Sequence, residues 1–222
     1  MFLLADWSPV LLSLRTAVIA VMAVIILGLP LARLMTRREF PGKDVLESAI
    51  TLPMVLPPSV IGYGLLMLIG KNGPLGQLLD SFGIRIIFTW WAAVLAATVV
   101  AFPLMYQSAK AAFKSVDVNY ENAARTLGAS EVRIFLTVTL PLAWPGILAG
   151  VVLSFARALG EFGATLMVAG NIPGQTSTIP VAIFFAVDAG DNATAQTLVA
   201  IVTAFSFLVI FWVNRWAKRQ NY

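Results

Sequence analysis

Residues 10–32 read VLLSLRTAVIAVMAVIILGLPLA, a run whose single charge is Arg15. Wound as a helix it would be about 34 Å long at 1.5 Å per residue, enough to cross the roughly 30 Å hydrocarbon core of a bilayer. The rest of the chain decides whether lipid or a protein interior surrounds it. Of 222 residues, 59% are hydrophobic and 12% charged, and the mean hydropathy is +0.86; soluble domains average about 45–50% apolar and about 25% charged. A water-soluble fold of this size would leave much of that apolar surface wet, so lipid is the solvent. Residues 1–222 read as one polytopic, all-α membrane domain.

Further apolar runs lie at about 45–70, 90–112, 143–169 and 195–214, which makes five candidate spans. The first is read as retained rather than as a secretory signal. Residues 1–8 hold Asp6 and no Lys or Arg, and the run exceeds the 7–15 residues of a signal core.

The bases set the sidedness. Eleven of the fifteen Lys and Arg fall on one side: Arg33, Arg37, Arg38 and Lys43 after the first span, Lys110, Lys114, Arg125 and Arg133 around the third connection, and Arg215, Lys218 and Arg219 after the fifth. Lys71 and Arg85 fall on the other side, and Arg15 and Arg157 within spans. Lys and Arg accumulate on the cytoplasmic side of membrane proteins, so the N-terminus is expected outside and the C-terminus in the cytoplasm. This also accounts for the net charge of +4 without nucleic acid as a partner. Trp7, Trp90, Trp91, Trp144, Trp212 and Trp216 lie near expected span ends, where an amphipathic ring prefers the interface.

Composition excludes several chemistries. With no Cys and no His there can be no disulfide, no zinc site of the Cys or His kind and no Cys or His nucleophile system. The two Gly-Lys pairs, Gly42-Lys43 and Gly70-Lys71, are followed by Asp44 and Asn72 and lack the upstream glycine of a phosphate-binding loop. The chain is therefore not expected to hydrolyse ATP itself, nor to bind a metal or cofactor.

Two regions break the simple helical reading. The second run contains Pro53, Pro57 and Pro58 with Gly62 and Gly64, and proline removes a backbone donor and clashes with the preceding turn. A break near 53–58 follows. It marks either a packing kink or a helix lining a water-filled path, where freed carbonyls find partners. Residues 171–194 are too long and too mixed for a turn, and the apolar stretch 179–187 is too short to cross, so a short interfacial or re-entrant helix is expected.

The connection at 113–141 carries the most information. Asp117 is a suitable N-cap, and Tyr120, Ala123, Ala124 and Leu127 follow at i, i+3, i+4 and i+7, an apolar stripe on a short helix ending at Gly128. Ser130 can cap a second helix running toward Leu140 and Pro141. An exposed apolar stripe is suited to docking in a partner's groove; the alternative is an amphipathic hairpin resting on the membrane or on its own bundle.

Residues 121–130, ENAARTLGAS, followed by VTLP at 138–141, resemble the coupling loop of prokaryotic ABC importer permeases, whose pattern is E-A-A, three residues, G, nine residues, I-x-L-P. Asn122 stands where that pattern has Glu, with Glu121 one position earlier, and Val138 replaces Ile. FPGK at 40–43, LPMVLPPSVIGY at 52–63, SVDV at 115–118, FARALGEFGAT at 155–165 and GNIPG at 170–174 are similar to the molybdate branch of these permeases, which shares much of its text with tungstate and sulfate permeases.

The resemblance implies a type I importer permease, with five transmembrane helices and a cytoplasmic coupling helix. It implies a second copy of the chain, two cytoplasmic ATPase subunits that bind ATP and Mg, and an external oxyanion-binding protein. Asp117, Tyr120, Glu121, Ala123, Ala124, Arg125, Leu127 and Gly128 would form the ATPase-coupling surface. Pro57, Pro58, Ser59, Gly62, Tyr63, Arg157 and Glu161 would line or gate the path, with residues 57–63 facing the same helix of the second copy.

Arg157 and Glu161, at i and i+4 in the fourth span, keep two readings open. A charge at the bilayer centre costs roughly 2.5–3.5 kcal/mol, so they pair with each other either to brace the helix or to serve anion passage and gating. A proton-coupled secondary carrier that uses Glu161 is the competing class, separated from the first by whether an ATPase copurifies.

Overall fold

The computed structural model describes residues 6–220, with backbone only at 212–214 and 216–220; the interfacial reading of Trp212 and Trp216 and the bases Lys218 and Arg219 lie outside the described side chains. The helices are α1 (Ser8–Arg37), α2 (Lys43–Thr51), α3 (Pro58–Ile69), α4 (Pro74–Asp80), α5 (Trp90–Lys114), α6 (Val118–Thr126), α7 (Glu131–Ile134), α8 (Leu140–Leu159), α9 (Gly163–Ala169), α10 (Ile179–Asp188) and α11 (Asn192–Gln220). No strand occurs among the described residues.

Helix α5 is the axis of the bundle. Its Ala92, Ala93, Ala96, Ala97, Ala101 and Ala109 are fully buried, and they let α1, α3, α8 and α9 close in on it. On α8, a Cβ at Gly146 would stand 2.6 Å from the Ala112 Cβ, and one at Gly150 2.7 Å from the Ser108 Cβ. Lipid supplies no hydrophobic force between helices, so packing of small residues does this work.

The helix directions follow from contacts at the two ends. Trp90 Nε1–H donates to Thr16 Oγ1 at 2.8 Å, and the Arg15 guanidinium lies 4.1 Å from the Trp90 ring. At the other end the Arg33 guanidinium lies 5.7 Å from Phe113 and 5.3 Å from Phe135. Helices α1 and α5 are therefore parallel and α8 runs against them. This gathers Arg33, Arg37, Lys114 and Arg125 around one end, as the base distribution requires.

Among the described residues four helices are long and apolar enough to cross, and a fifth crossing is available as a bent pair. The run 45–70 is not one helix. Lys43–Met54, which adds a 3-10 turn to α2, meets α3 at 116°. Pro53, Pro57 and Pro58 supply no N–H to the preceding turn. The 12 residues of α3 rise about 18 Å, short of a full core. Glu47 on α2 accepts from Lys110 Nζ and, at 3.2 Å, from the Tyr106 hydroxyl, which ties the bent element to α5.

The fourth crossing also corrects the expected boundaries. Helix runs without interruption from Glu131 to Leu159, so the second helix of the connection and the fourth span are one element. A π turn at Phe135–Thr139 makes this possible. Pro141 offers no N–H to Thr137, and the Leu140 N–H instead reaches back five residues to the Phe135 carbonyl. The helix then stops at Gly160, and 163–169 form the separate α9. Trp144 is exposed but sits inside this continuous helix rather than at its end.

In 171–194 the expected short helix is α10, fixed to α1 by its Ile179 N–H donating to Ser13 Oγ at 2.7 Å. Helix α4 had no sequence expectation.

Candidate functional site

Helix α6 stands at the end where the bases gather. Asp117 Oδ1 accepts the Asn119 N–H at 2.8 Å, the expected cap. Gly128 adopts φ +79°, and the Ala129 N–H closes the helix on the Ala124 carbonyl at 3.1 Å. Between these ends Tyr120, Ala123 and Leu127 are exposed, Leu127 at 88%, and Ala124 and Arg125 are half-buried. The apolar stripe thus points away from the bundle. Ser130 Oγ accepts the Arg133 N–H at 3.4 Å as the second cap.

Glu121 faces the opposite way. It is 7% exposed, and it accepts from Arg33 at 2.8 Å, from Thr139 Oγ1 at 2.6 Å and from Arg37. Its carboxylate fastens α6 to α1 and to the π turn instead of extending the outward face. Burial pushes the Glu121 carboxyl up, but the hydrogen bonds from Thr139, Arg33 and Arg37 outweigh it and hold the group at about 2. Arg125 turns sideways to Glu131 and to Asn122, and Glu131 also takes Arg37. Hydrogen bonds from Arg125 and Arg37 hold Glu131 at about 2 as well. Arg33, Arg37, Glu131 and Thr139 were not singled out as site residues from the sequence. The i, i+4 spacing of the two arginines was visible, but partners 84 to 106 positions away were not.

The other group of residues meets where α3 and α9 begin. A Cβ at Gly163 would be 3.0 Å from the Pro58 Cβ, and one at Gly62 would be 2.7 Å from the Met167 Cβ and 2.9 Å from the Ala164 Cα. The close neighbour of Gly62 is therefore α9 of the same chain, which corrects the expectation that this glycine faces a second copy. Pro58 is half-buried here, whereas Pro57, Ser59 and Tyr63 are exposed, the last two one turn apart.

Glu161 lies beyond the end of α8 rather than in the middle of a span helix. It is 3% exposed, Oε1 accepts the Ala164 N–H at 2.8 Å, and Oε2 stands 2.7 Å from Arg157. A carboxylate that caps α9 and pairs with an arginine braces the break between two helices. Pro58 and Gly62 thus share one junction with the Glu161 segment, and the α6 surface stands apart from it.

Short broken helices inside a membrane bundle, with one exposed helix held across its end, are found here in a chain whose relatives are transmembrane subunits of transport systems. The chain belongs to the family of binding-protein-dependent transport system inner membrane components, whose profile matches residues 10–222. It is 45% identical to the molybdenum transport system permease protein ModB of Escherichia coli K12, over 96% of this chain and 94% of that one. It is 36% identical to the sulfate transport system permease protein CysT of Salmonella typhimurium, over 87% of this chain and 70% of that one. Among solved structures, the inward-facing methionine ABC transporter MetNI superposes with a TM-score of 0.71 at 16% identity, covering 95% and 94% of the two chains. The fold is that of a type I ABC importer permease, and the protein is a multi-pass membrane protein.

Proposed function

We propose that residues 1–222 form one permease domain that carries a tetrahedral oxyanion, molybdate, across the cytoplasmic membrane, driven by ATP hydrolysis on a separate subunit. The anion is read from the 45% identity to the molybdenum permease across 96% of the chain, against 36% over 87% for the sulfate permease. Tungstate or sulfate is the runner-up cargo. A proton carrier at Glu161 is not favoured, because that carboxylate is spent on a helix cap and an ion pair.

The observation that carries the mechanism is α6. Its outer face offers Tyr120, Ala123 and Leu127 to a partner, while Glu121 pins its inner face to α1 and the π turn. An ATPase that takes this face and moves it would pull on both elements at once. The two chemically distinct faces of one short helix are what a lever needs.

Two copies of the chain would enclose the path. The exposed Ser59 and Tyr63 of α3 are the face we assign to the second copy. An external binding protein would deliver the anion at the α10 end. On this reading the N-terminus is outside and the α6 end cytoplasmic.

Uptake resolved by element tests the reading in cells lacking and regaining the gene, with molybdate, tungstate and sulfate in competition. Restored molybdenum uptake that excess sulfate does not suppress is expected. Uptake of sulfur alone would move the protein to the sulfate branch, and no ATP dependence would remove it from the importers.

A further inference from the structure

On the face of α1 turned away from α5, at the α6 end, lies a groove of about 610 Å³, which shares Arg33 and Arg37 with the anchor of Glu121 but lies outside both the exposed face of α6 and the α3–α9 junction. Ile25, Ile26, Leu29 and Leu34 form one wall, Phe135 and Leu140 the other, and Arg33, Arg37 and Arg38 stand at its mouth.

Length, charge and position restrict the occupant. From Ile25 to Leu34 the apolar wall rises about 14 Å, the depth of one leaflet's half of the roughly 30 Å core. Arg33, Arg37 and Arg125 share the carboxylates of Glu121 and Glu131, and Arg38 has no acidic partner within 4 Å among the described residues. Three guanidinium groups stand at the mouth, and the two carboxylates that Arg33 and Arg37 reach are shared with Arg125, which leaves a positive surplus there. An extended peptide segment in this place would carry backbone groups into lipid without partners, and a zwitterionic lipid would bring no net charge to the surplus.

We propose that the groove holds one anionic phospholipid of the leaflet at the α6 end, an acyl chain along α1 and the phosphate at Arg38 with Arg37 beside it. Guanidinium matches phosphate oxygens in paired hydrogen bonds, and basic pockets between membrane helices at the headgroup level select anionic lipids. The site is separate from the path and does not depend on which anion is carried.

Native mass spectrometry of the purified protein tests it after equilibration in micelles containing phosphatidylglycerol or phosphatidylcholine. One retained phosphatidylglycerol per chain is expected, favoured about fivefold over phosphatidylcholine, the preference that a single arginine near the headgroup supplies. Arg38→Gln should abolish the preference, Arg38→Lys should keep it, and Leu29→Trp, which fills the groove with the charges intact, should lower retention of both lipids. Millimolar inorganic phosphate should displace neither. Equal retention of the two lipids by the unaltered protein, no response to Arg38→Gln and Leu29→Trp, or displacement by free phosphate would overturn the proposal. So would a disulfide between two copies carrying Ile26→Cys, which would mean that a second chain covers the groove.

Discussion

Glu121 joins three stretches of the chain that sequence distance keeps apart, and its protonation state sets how firmly they hold. Glu121→Gln removes the charge and leaves Arg33 and Arg37 short of a partner, a loss of about 1.5–3 kcal/mol for hydrogen bonds to a charged group. Amide exchange across residues 118–126 should then run roughly 10- to 100-fold faster than in the unaltered protein. The pH dependence has a definite sign. A carboxyl held at about 2 in the fold, below its ordinary 4.5, contributes fully above 4.5 and loses its contribution as pH falls toward 2. Exchange of the unaltered protein, corrected for intrinsic rates, should converge on that of the Gln variant across this interval and nowhere above it. Gly128 gives a second residue-scale outcome. At φ +79° with nothing within 4 Å of its Cβ direction, a side chain there meets only backbone strain, about 1–2 kcal/mol for most residues and less for Asn. Transport should survive Gly128→Asn better than Gly128→Leu; equal loss would mean that the partner itself reads the missing side chain. The cap at Asp117 and the stop at Gly128 were legible because they depend on neighbours in sequence. The inward turn of Glu121 was not, because it depends on arginines 84 and 88 positions away.

The two broken elements differ in how far their sequences reveal them. Three prolines announce the break between α2 and α3. The stop of α8 at Gly160 is hidden in a run that stays apolar to Ala169, and it becomes intelligible only once α9 is seen packed on α3, with Glu161 capping it. The continuity of Glu131–Leu159 was concealed by Pro141, which reads as a boundary until a π turn absorbs its missing donor. The α3–α9 contact is testable with two glycines of one helix. Gly62→Ala would set a methyl 2.9 Å from the Ala164 Cα, whereas Gly64 has nothing within 4 Å. Overpacking of this kind costs about 1–3 kcal/mol, so Gly62→Ala should lower thermal stability and transport together while Gly64→Ala leaves both near the original. Equal behaviour of the two variants would mean that α3 and α9 are not in contact in the membrane.

The placement of bases along the chain anticipated the relative directions of the crossings, because charge near a headgroup is a property of each connection by itself. It could not anticipate that α5 would be the axis, since that role depends on Ala112 and Ser108 being matched to Gly146 and Gly150 of another helix. Absolute sidedness is tested by a cysteine at Ser8 or Ser130: an impermeant thiol reagent added outside intact cells should label the first and spare the second. The reverse pattern would place α6 outside, away from any cytoplasmic ATPase. Coupling through α6 is tested by ATP-driven molybdate accumulation in vesicles containing the permease and the proposed ATPase subunit, with and without Leu127→Asp. Leu127 is exposed at 88% and takes no part in the bundle, so the variant should fold, hold Glu121 in place and yet lose accumulation together with retention of the ATPase on the membrane. Accumulation at the original rate with the ATPase still bound would mean that the outer face of α6 is not the coupling surface.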